Sequence, residues 1–391
     1  MNPISSSAEL LNSVGVNTHL NYADTPYGNY PLVIEQIRAL GVKNIRDGAH
    51  GYPNLDWWSV LCEPFQELVK MGVRINCVID PFEKLGPTTS DLLFTLYNGY
   101  AQGVLTWEGM NEPDVSVDGD WVSTAKAWQQ TLYVASTLPQ AIGKMEVLAC
   151  ALAQANPNAA KLGVISAMCD YGNLHPYPAG QMPEPVIRVQ LQLAEMMTPG
   201  LLTMVTETGY FTGPANDYSS GQPGVSELAA AKYILRLLLD NFSCQIPRTW
   251  IYELLEQKSD DYWGLIRYQG KAKTQFKAIS NFLHLLGGPN CSLTPIDLTI
   301  DAPEIPKVRT LLVQKAHATW ILFLWQEVSC YDTAAGRDQT NSLARVTVGL
   351  PSACRCSLHL PLEQREPYEI GTATSLLVQV PDHPIAVEIA Y

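Results

Sequence analysis

Basic charge is what this sequence has least of: 25 Lys and Arg stand against 38 Asp and Glu in 391 residues, a formal net charge of −13. Nucleic acid and anionic membranes are held by clustered Lys and Arg, so neither is expected as a partner. A neutral polymer such as a polysaccharide fits better. Long hydrophobic runs are also missing, since no window approaches the 18 consecutive apolar residues of a membrane span. The segment Met1-Asn2-Pro3-Ile4-Ser5-Ser6-Ser7 has neither the basic region nor the apolar core of a signal peptide. The expected compartment is therefore the cytoplasm, unless a leader was removed, in which case the protein is secreted. No HExxH, glycine-rich phosphate loop or GxSxG occurs, and no cofactor or metal is expected. The nine cysteines are an odd number, and five of them (Cys62, Cys77, Cys150, Cys169, Cys244) lie in apolar stretches. Reduced buried thiols are expected rather than a disulfide framework. Cys354-Arg355-Cys356 lacks the two-residue gap of a zinc knuckle or a thioredoxin motif.

Apolar material is plentiful, at 47% hydrophobic against 16% charged residues, so a compact chain with large cores is expected. Eight strand-like runs recur: Val14 to Leu20, Val42 to Arg46, Val73 to Ile79, Val104 to Gly109, Met145 to Ala151, Met168 to His175, Leu202 to Glu207 and Thr249 to Leu254. Their starts are 28, 31, 31, 41, 23, 34 and 47 residues apart, which leaves room for a crossover helix in nearly every case. Several such helices are legible. Tyr30 to Leu40 places Leu32, Val33, Ile37 and Leu40 at helical spacing and closes at Gly41. Glu63 to Met71 ends the same way at Gly72, and Phe276 to Leu286 reads as the last helix before Gly287-Gly288-Pro289-Asn290.

This rhythm predicts a (β/α)8 barrel over residues 1–287. Beyond it come short β-branched runs divided by Pro, Gly and Asp: Arg309 to Val313, Thr319 to Trp325, Ala344 to Val348, Ser357 to Leu360, Ser375 to Val380 and Ile385 to Ile389. They predict an accessory antiparallel β-sandwich over 288–391.

Two of the barrel runs end on a glutamate where the chain turns into a loop. These are Trp107-Glu108-Gly109-Met110-Asn111-Glu112-Pro113 and Val205-Thr206-Glu207-Thr208-Gly209. Glu112 and Glu207 are 95 residues apart, close to three βα repeats of about 30–35 residues. Strands 4 and 7 of one barrel would thus bring both to the open face at the strands' C-terminal ends. A retaining glycosidase needs this pair: one carboxyl protonated to donate to the leaving oxygen, one ionised to attack the anomeric carbon. Other polar residues fall on the same rim. Asn17 and His19 end the first run, Arg46 and Asp47 the second, His175 and Tyr177 the sixth, Tyr252 and Glu253 the eighth. Arg46 and Tyr177 are expected to donate to Glu207 and keep it ionised, with Glu112 in the drier surroundings. Glu108 is expected to be a supporting carboxylate. Glu253 is counted with the substrate contacts, its alternative being a buried partner for an arginine. Trp57, Trp58, Trp107, Trp121 and Trp263 are candidate sugar-stacking platforms, with core packing the expectation for most; Trp107 is kept among the substrate contacts. His50 is open between site and structure, and Phe211 to Gly224 is the candidate wall of the cleft.

Asn111-Glu112-Pro113, His175-Pro176-Tyr177 and Thr206-Glu207-Thr208-Gly209, each after a strand, resemble glycoside hydrolase clan A over about residues 14 to 287. The C-terminal β-domain resembles the accessory sandwich common in that clan. The resemblance implies Glu112 as general acid/base, Glu207 as nucleophile, Arg46 as its strand-2 partner and Asn111 as a ligand of the sugar 2-hydroxyl. It further implies retaining cleavage of β-type bonds in an oligo- or polysaccharide by double displacement. Two rivals stand beside it: a non-catalytic carbohydrate-binding barrel, and a metal-dependent barrel enzyme with acidic or His ligands at strand ends. The sugar, the linkage, endo or exo action and the oligomeric state are not encoded in any motif here.

Overall fold

The computed structural model describes residues 5–48, 55–81, 88–138, 142–215, 221–289, 291–304 and 306–391. Eight parallel strands form one sheet: β1 (Val14–Asn17), β2 (Asn44–Gly48), β3 (Arg74–Val78), β4 (Val104–Glu108), β5 (Val147–Leu148), β6 (Gly172–Leu174), β7 (Thr203–Thr208) and β8 (Thr249–Ile251). Each pairs with its sequence neighbour, and β1 also pairs with β8. The remaining gap, between β5 and β6, is bridged by the parallel pair Leu148–Tyr171 and by the bond from Ala149 N–H to the Tyr171 carbonyl, 2.9 Å. This closes a (β/α)8 barrel, as the spacing of the eight runs predicted.

Burial explains why these segments become strands and helices. The strands are buried on both faces, as a parallel sheet covered by helices requires. The helix Tyr30–Leu40 buries Val33, Ile37 and Leu40, and Gly41 ends it in the left-handed region at φ +90°. Inside the barrel, Trp250 of β8 packs with Leu148 and Met204. Gly15 on β1 makes room for it, since a Cβ there would lie 2.3 Å from the indole ring.

The last barrel helix, Thr274–Leu286, is followed by a second sheet built from β9 (Thr299–Asp301), β10 (Val308–Ala316), β11 (Thr319–Gln326), β14 (Ala344–His359), β15 (Tyr368–Val380) and β16 (Ile385–Ala390). A separate hairpin joins β12 (Tyr331–Asp332) to β13 (Arg337–Asp338). The runs at Ala344 and Ser357 belong to one long strand, β14. Its register against β15 breaks between Gly349 and Cys354, so its first part pairs with β9 and its second with β16. That break folds the sheet around its own core of Leu312, Leu322, Leu324, Val346, Val348, Val378 and Val387. On β11 the alternate residues Ile321, Phe323 and Trp325 join the barrel's cluster instead. The two-residue strand Ser5–Ser6 pairs in parallel with Val313 and Gln314 of β10. All nine cysteines are free thiols, and burial pushes those of Cys62, Cys150 and Cys169 up to about 12.

Candidate active site

Arg46 lies at the centre of the barrel mouth. On β2 its guanidinium is fully enclosed and its five N–H groups meet five acceptors. Nε and Nη2 fork onto Glu108 at 2.9 and 2.7 Å; Nη2 also reaches Asn111 Oδ1 at 2.8 Å; Nη1 reaches Asn17 Oδ1 at 3.0 Å and Glu207 Oε1 at 2.6 Å. Burial works against its charge, but Glu108 and Glu207 more than reverse this and hold it protonated. Glu108 is buried and further held by Asn76 Nδ2 at 2.5 Å and Thr206 Oγ1 at 3.0 Å. It supports Arg46 and does not meet the cavity.

Glu207 reaches the mouth because β7 carries an extra residue. Between the pairs Val205–Thr249 and Thr208–Ile251, β7 advances three residues and β8 two. The bulge lets both Thr206 and Glu207 face the site, which plain alternation forbids. Tyr177 donates to Glu207 Oε2 at 2.8 Å, complementing Arg46 on Oε1. Burial pushes this carboxyl up, yet His175, Arg46 and Tyr177 together bring it below the ordinary glutamate range, so it is ionised.

Glu112 stands on the loop after β4 with φ +45° and ψ +57°, in the left-handed region that costs a side-chain-bearing residue about 1–2 kcal/mol. Pro113 starts the helix Pro113–Ser116, and an Asn111–Ala151 bridge anchors the loop on the other side. Glu112 Oε1 lies 2.8 Å from His175 Nδ1. The other ring nitrogen, Nε2, is 3.0 Å from Thr206 Oγ1. That hydroxyl faces the acceptors Glu108 Oε1 and Asn173 Oδ1 and has one proton to give them, so it accepts from His175 Nε2–H. The atom of His175 that titrates is therefore Nδ1, facing Glu112. Burial alone would lower the imidazole's affinity for a proton, but Glu207 and Glu112 raise it above the ordinary value. Ligand atoms of Glu112, His175 and Glu207 all lie within 4.8 Å of one another.

A cavity of about 190 Å³ opens over these groups, walled by Arg46, Asn111, Glu112, Glu207, His19 and Tyr252, and also by Thr18, Tyr22, Asp47, Gly48 and Val78. His19 stacks on Tyr22 at 4.8 Å and lies 3.3 Å from Glu253 Oε2. Burial pushes Glu253 up to about 7 while His19 pulls the other way. Trp263 meets Tyr177 edge-on at 5.0 Å and Tyr252 at 6.1 Å, and tilts against Phe211 at 5.4 Å.

Several expectations need correction. Trp107 is not a substrate contact: Thr106 and Glu108 point into the barrel, so alternation turns Trp107 outward, where it is fully buried in the helix-side core. Asn17 and Glu253 are likewise buried behind the cavity wall; Asn17 holds Arg46, and Glu253 meets His19 and accepts from Tyr27 at 3.1 Å. Glu112 is not the drier carboxylate, with 23% of its side chain exposed against 10% for Glu207. Trp121 packs at the edge of a helix-side cluster. His50, Trp57 and Trp58 lie outside the residues whose side chains are described, as do residues 216–220 of the expected wall. Sequence reasoning missed Asn76 and Thr206, although each is a polar residue within an apolar strand run, and did not single out Tyr22 or Thr18.

No protein-family model matches the chain, and no curated protein matches it. Solved structures do. Over the whole of this chain and 95% of its own, the GH39 enzyme from Xanthomonas axonopodis pv. citri is similar with a TM-score of 0.62 at 13% identity. A monomeric β-xylosidase from Caulobacter crescentus CB15 is similar over the whole of this chain and 97% of its own, at 0.61 and 12%. The fold is that of the clan A glycoside hydrolases. An exo-β-1,4-mannosidase from Opitutaceae bacterium strain TAV5 shares it over 73% of this chain and 61% of its own, with a TM-score of 0.52 and 13% identity. Glu112 follows β4, and Glu207 is the last residue but one of β7. Among the described residues no helix is long and apolar enough to cross a membrane.

Proposed function

We propose that the protein is a retaining glycoside hydrolase acting on β-type bonds of an oligo- or polysaccharide. The observation that carries this reading is the Glu112–Glu207 pair, in which one carboxylate oxygen of each residue lies within 4.8 Å of the other. Retaining enzymes hold the two carboxyl groups about 5–5.5 Å apart, whereas inverting ones leave roughly 6.5–9.5 Å for a water. In the first step a Glu207 oxygen bonds to the anomeric carbon, the glycosidic C–O bond breaks, and the leaving oxygen takes the proton of Glu112. In the second, Glu112 takes a proton from water, whose oxygen bonds to the anomeric carbon and frees Glu207. His175 Nδ1 shares one proton with Glu112, ready for the first step.

A metal-dependent reading of Glu112, His175 and Glu207 is less well supported. Both oxygens of Glu207 already accept from Arg46 and Tyr177, and the guanidinium puts a positive charge where a cation would sit.

The test is sugar release from a panel of aryl β-glycosides and polysaccharides, with Glu207→Gln beside wild type. Loss of kcat by roughly 10⁴-fold or more is expected for removal of a nucleophile. Product NMR should show the β anomer first. Equal activity of the two proteins, or an inverted product, would refute the assignment; binding of sugars without release would favour a carbohydrate-binding barrel.

A further inference from the structure

Among the described residues, a cavity larger than the one at the mouth lies elsewhere. A cavity of about 400 Å³ lies between the last barrel helix and the C-terminal sheet, and shares His284 and Arg365 with a second of about 260 Å³. The second shares Arg38 and Gly41 with a third, also about 260 Å³. Together they form a groove. It runs past the loops that enter β2 and β3, at Gly41–Lys43 and Met71–Val73, so it lies at the barrel's foot, opposite the catalytic mouth.

The groove inverts the charge balance of the chain. Its basic residues are Arg38, Lys43, Lys315, Arg355 and Arg365, with His284 and His359 in addition, against three glutamates, Glu366, Glu369 and Glu388. The whole chain has 25 basic to 38 acidic residues. Glu388 is engaged by Lys315 at 2.8 Å, and Glu369 by Arg355 at 3.3 Å. Arg38, Lys43, His284 and Arg365 make no ion pair among the described residues. Arg365 is held in place by Ser280 Oγ at 3.0 Å, whose own hydroxyl donates to the Ala39 carbonyl at 2.6 Å. Neutral sugars and nucleobases are gripped by aromatic faces, and no Phe, Tyr or Trp lines any of the three cavities. What such a groove recognises is negative charge repeated along an extended ligand.

We infer that this groove is a second, non-catalytic carbohydrate site, which takes an oligosaccharide carrying carboxylates, such as a run of uronate units. The carbohydrate class rests on the function proposed above; the anionic character rests on the groove alone. The groove would anchor acidic units of a polysaccharide whose neutral units enter the mouth.

The experiment is calorimetric titration of the full chain carrying Glu207→Gln, so that no turnover intervenes. The probes are hexagalacturonate, neutral xylohexaose and a hexaglutamate peptide. Hexagalacturonate should bind, weaken as salt rises, and bind at least about tenfold more weakly when Arg38→Ala and Arg365→Ala are added; xylohexaose should not bind the groove. Both substitutions are on exposed side chains, and thermal unfolding of the variant checks that it folds. No hexagalacturonate binding, or binding that the double variant leaves unchanged, overturns the proposal. Equal affinity for hexaglutamate overturns the carbohydrate class in favour of an acidic protein partner. Failure of the catalytic reading would appear in the hydrolysis assay and leave this titration intact.

Discussion

Glu207 has two donors, one per oxygen, and they differ in what they cost to remove. Arg46 also holds Glu108, Asn111 and Asn17, so its loss would unmake the whole mouth. Tyr177 gives a single hydroxyl to Oε2. A hydrogen bond to a charged group contributes about 1.5–3 kcal/mol, so Tyr177→Phe is expected to lower kcat/KM by roughly 10- to 150-fold. The pH profile should move as well. Tyr177 helps depress the Glu207 pKa; without it that pKa rises, and the acidic limb of kcat/KM shifts to higher pH. A variant with an unmoved limb would show that Tyr177 does not tune Glu207. At this scale a polar residue at or just past the end of an apolar run marked side chains that the barrel brings together at its mouth, as with Arg46, Glu112, His175 and Glu207. It misled at Trp107, because proximity to a strand end says nothing about which face a side chain takes until a neighbour's direction is known. The exposure of Glu112 was illegible for another reason: it depends on how far the loop after β4 lifts away from the barrel.

Strands are the element through which this protein sets its site, and their irregularities matter as much as their regular parts. The extra residue in β7 aims Glu207, and the tight approach of Gly15 to Trp250 fixes how β1 and β8 meet inside the barrel. Gly15→Ala would drive a methyl group into the indole. Overpacking of this kind typically costs 1–3 kcal/mol, and a matching drop in the urea midpoint is expected with an unchanged slope. No drop would mean that Trp250 turns aside freely. All eight barrel runs were legible from β-branched content and interval, and so was the last helix. The bulge was not, since it shows only in how two strands register. The unity of β14 was hidden as well: Gly349, Pro351 and Ser352 look like a turn, yet here they form the break at which one strand changes partners.

The accessory sheet and the barrel share a core across the whole molecule. Leu311, Val313, Ile321, Phe323 and Trp325 belong to the barrel's own hydrophobic cluster, and Arg236 of a barrel helix, buried, donates to the Val328 carbonyl at 2.7 Å. Residues 1–287 and 288–391 are thus distinct in pattern but not independent in energy. Calorimetry is expected to show one cooperative transition, and a chain ending at Leu286 to be insoluble or molten. Two resolved transitions would contradict this. Periodicity revealed the change of architecture near residue 290 but gave no sign of the shared core, because an apolar residue on a strand does not declare which domain it will face.

The pairing of Ser5 and Ser6 with Val313 and Gln314 also bears on how the protein is made. A chain leaves the ribosome from its N-terminus at about 5–20 residues per second. Ser5 and Ser6 therefore wait roughly 15–60 s for a partner made about 300 residues later. Until then this short strand has no partner, and the accessory sheet gains its parallel edge only after all eight barrel strands have been made.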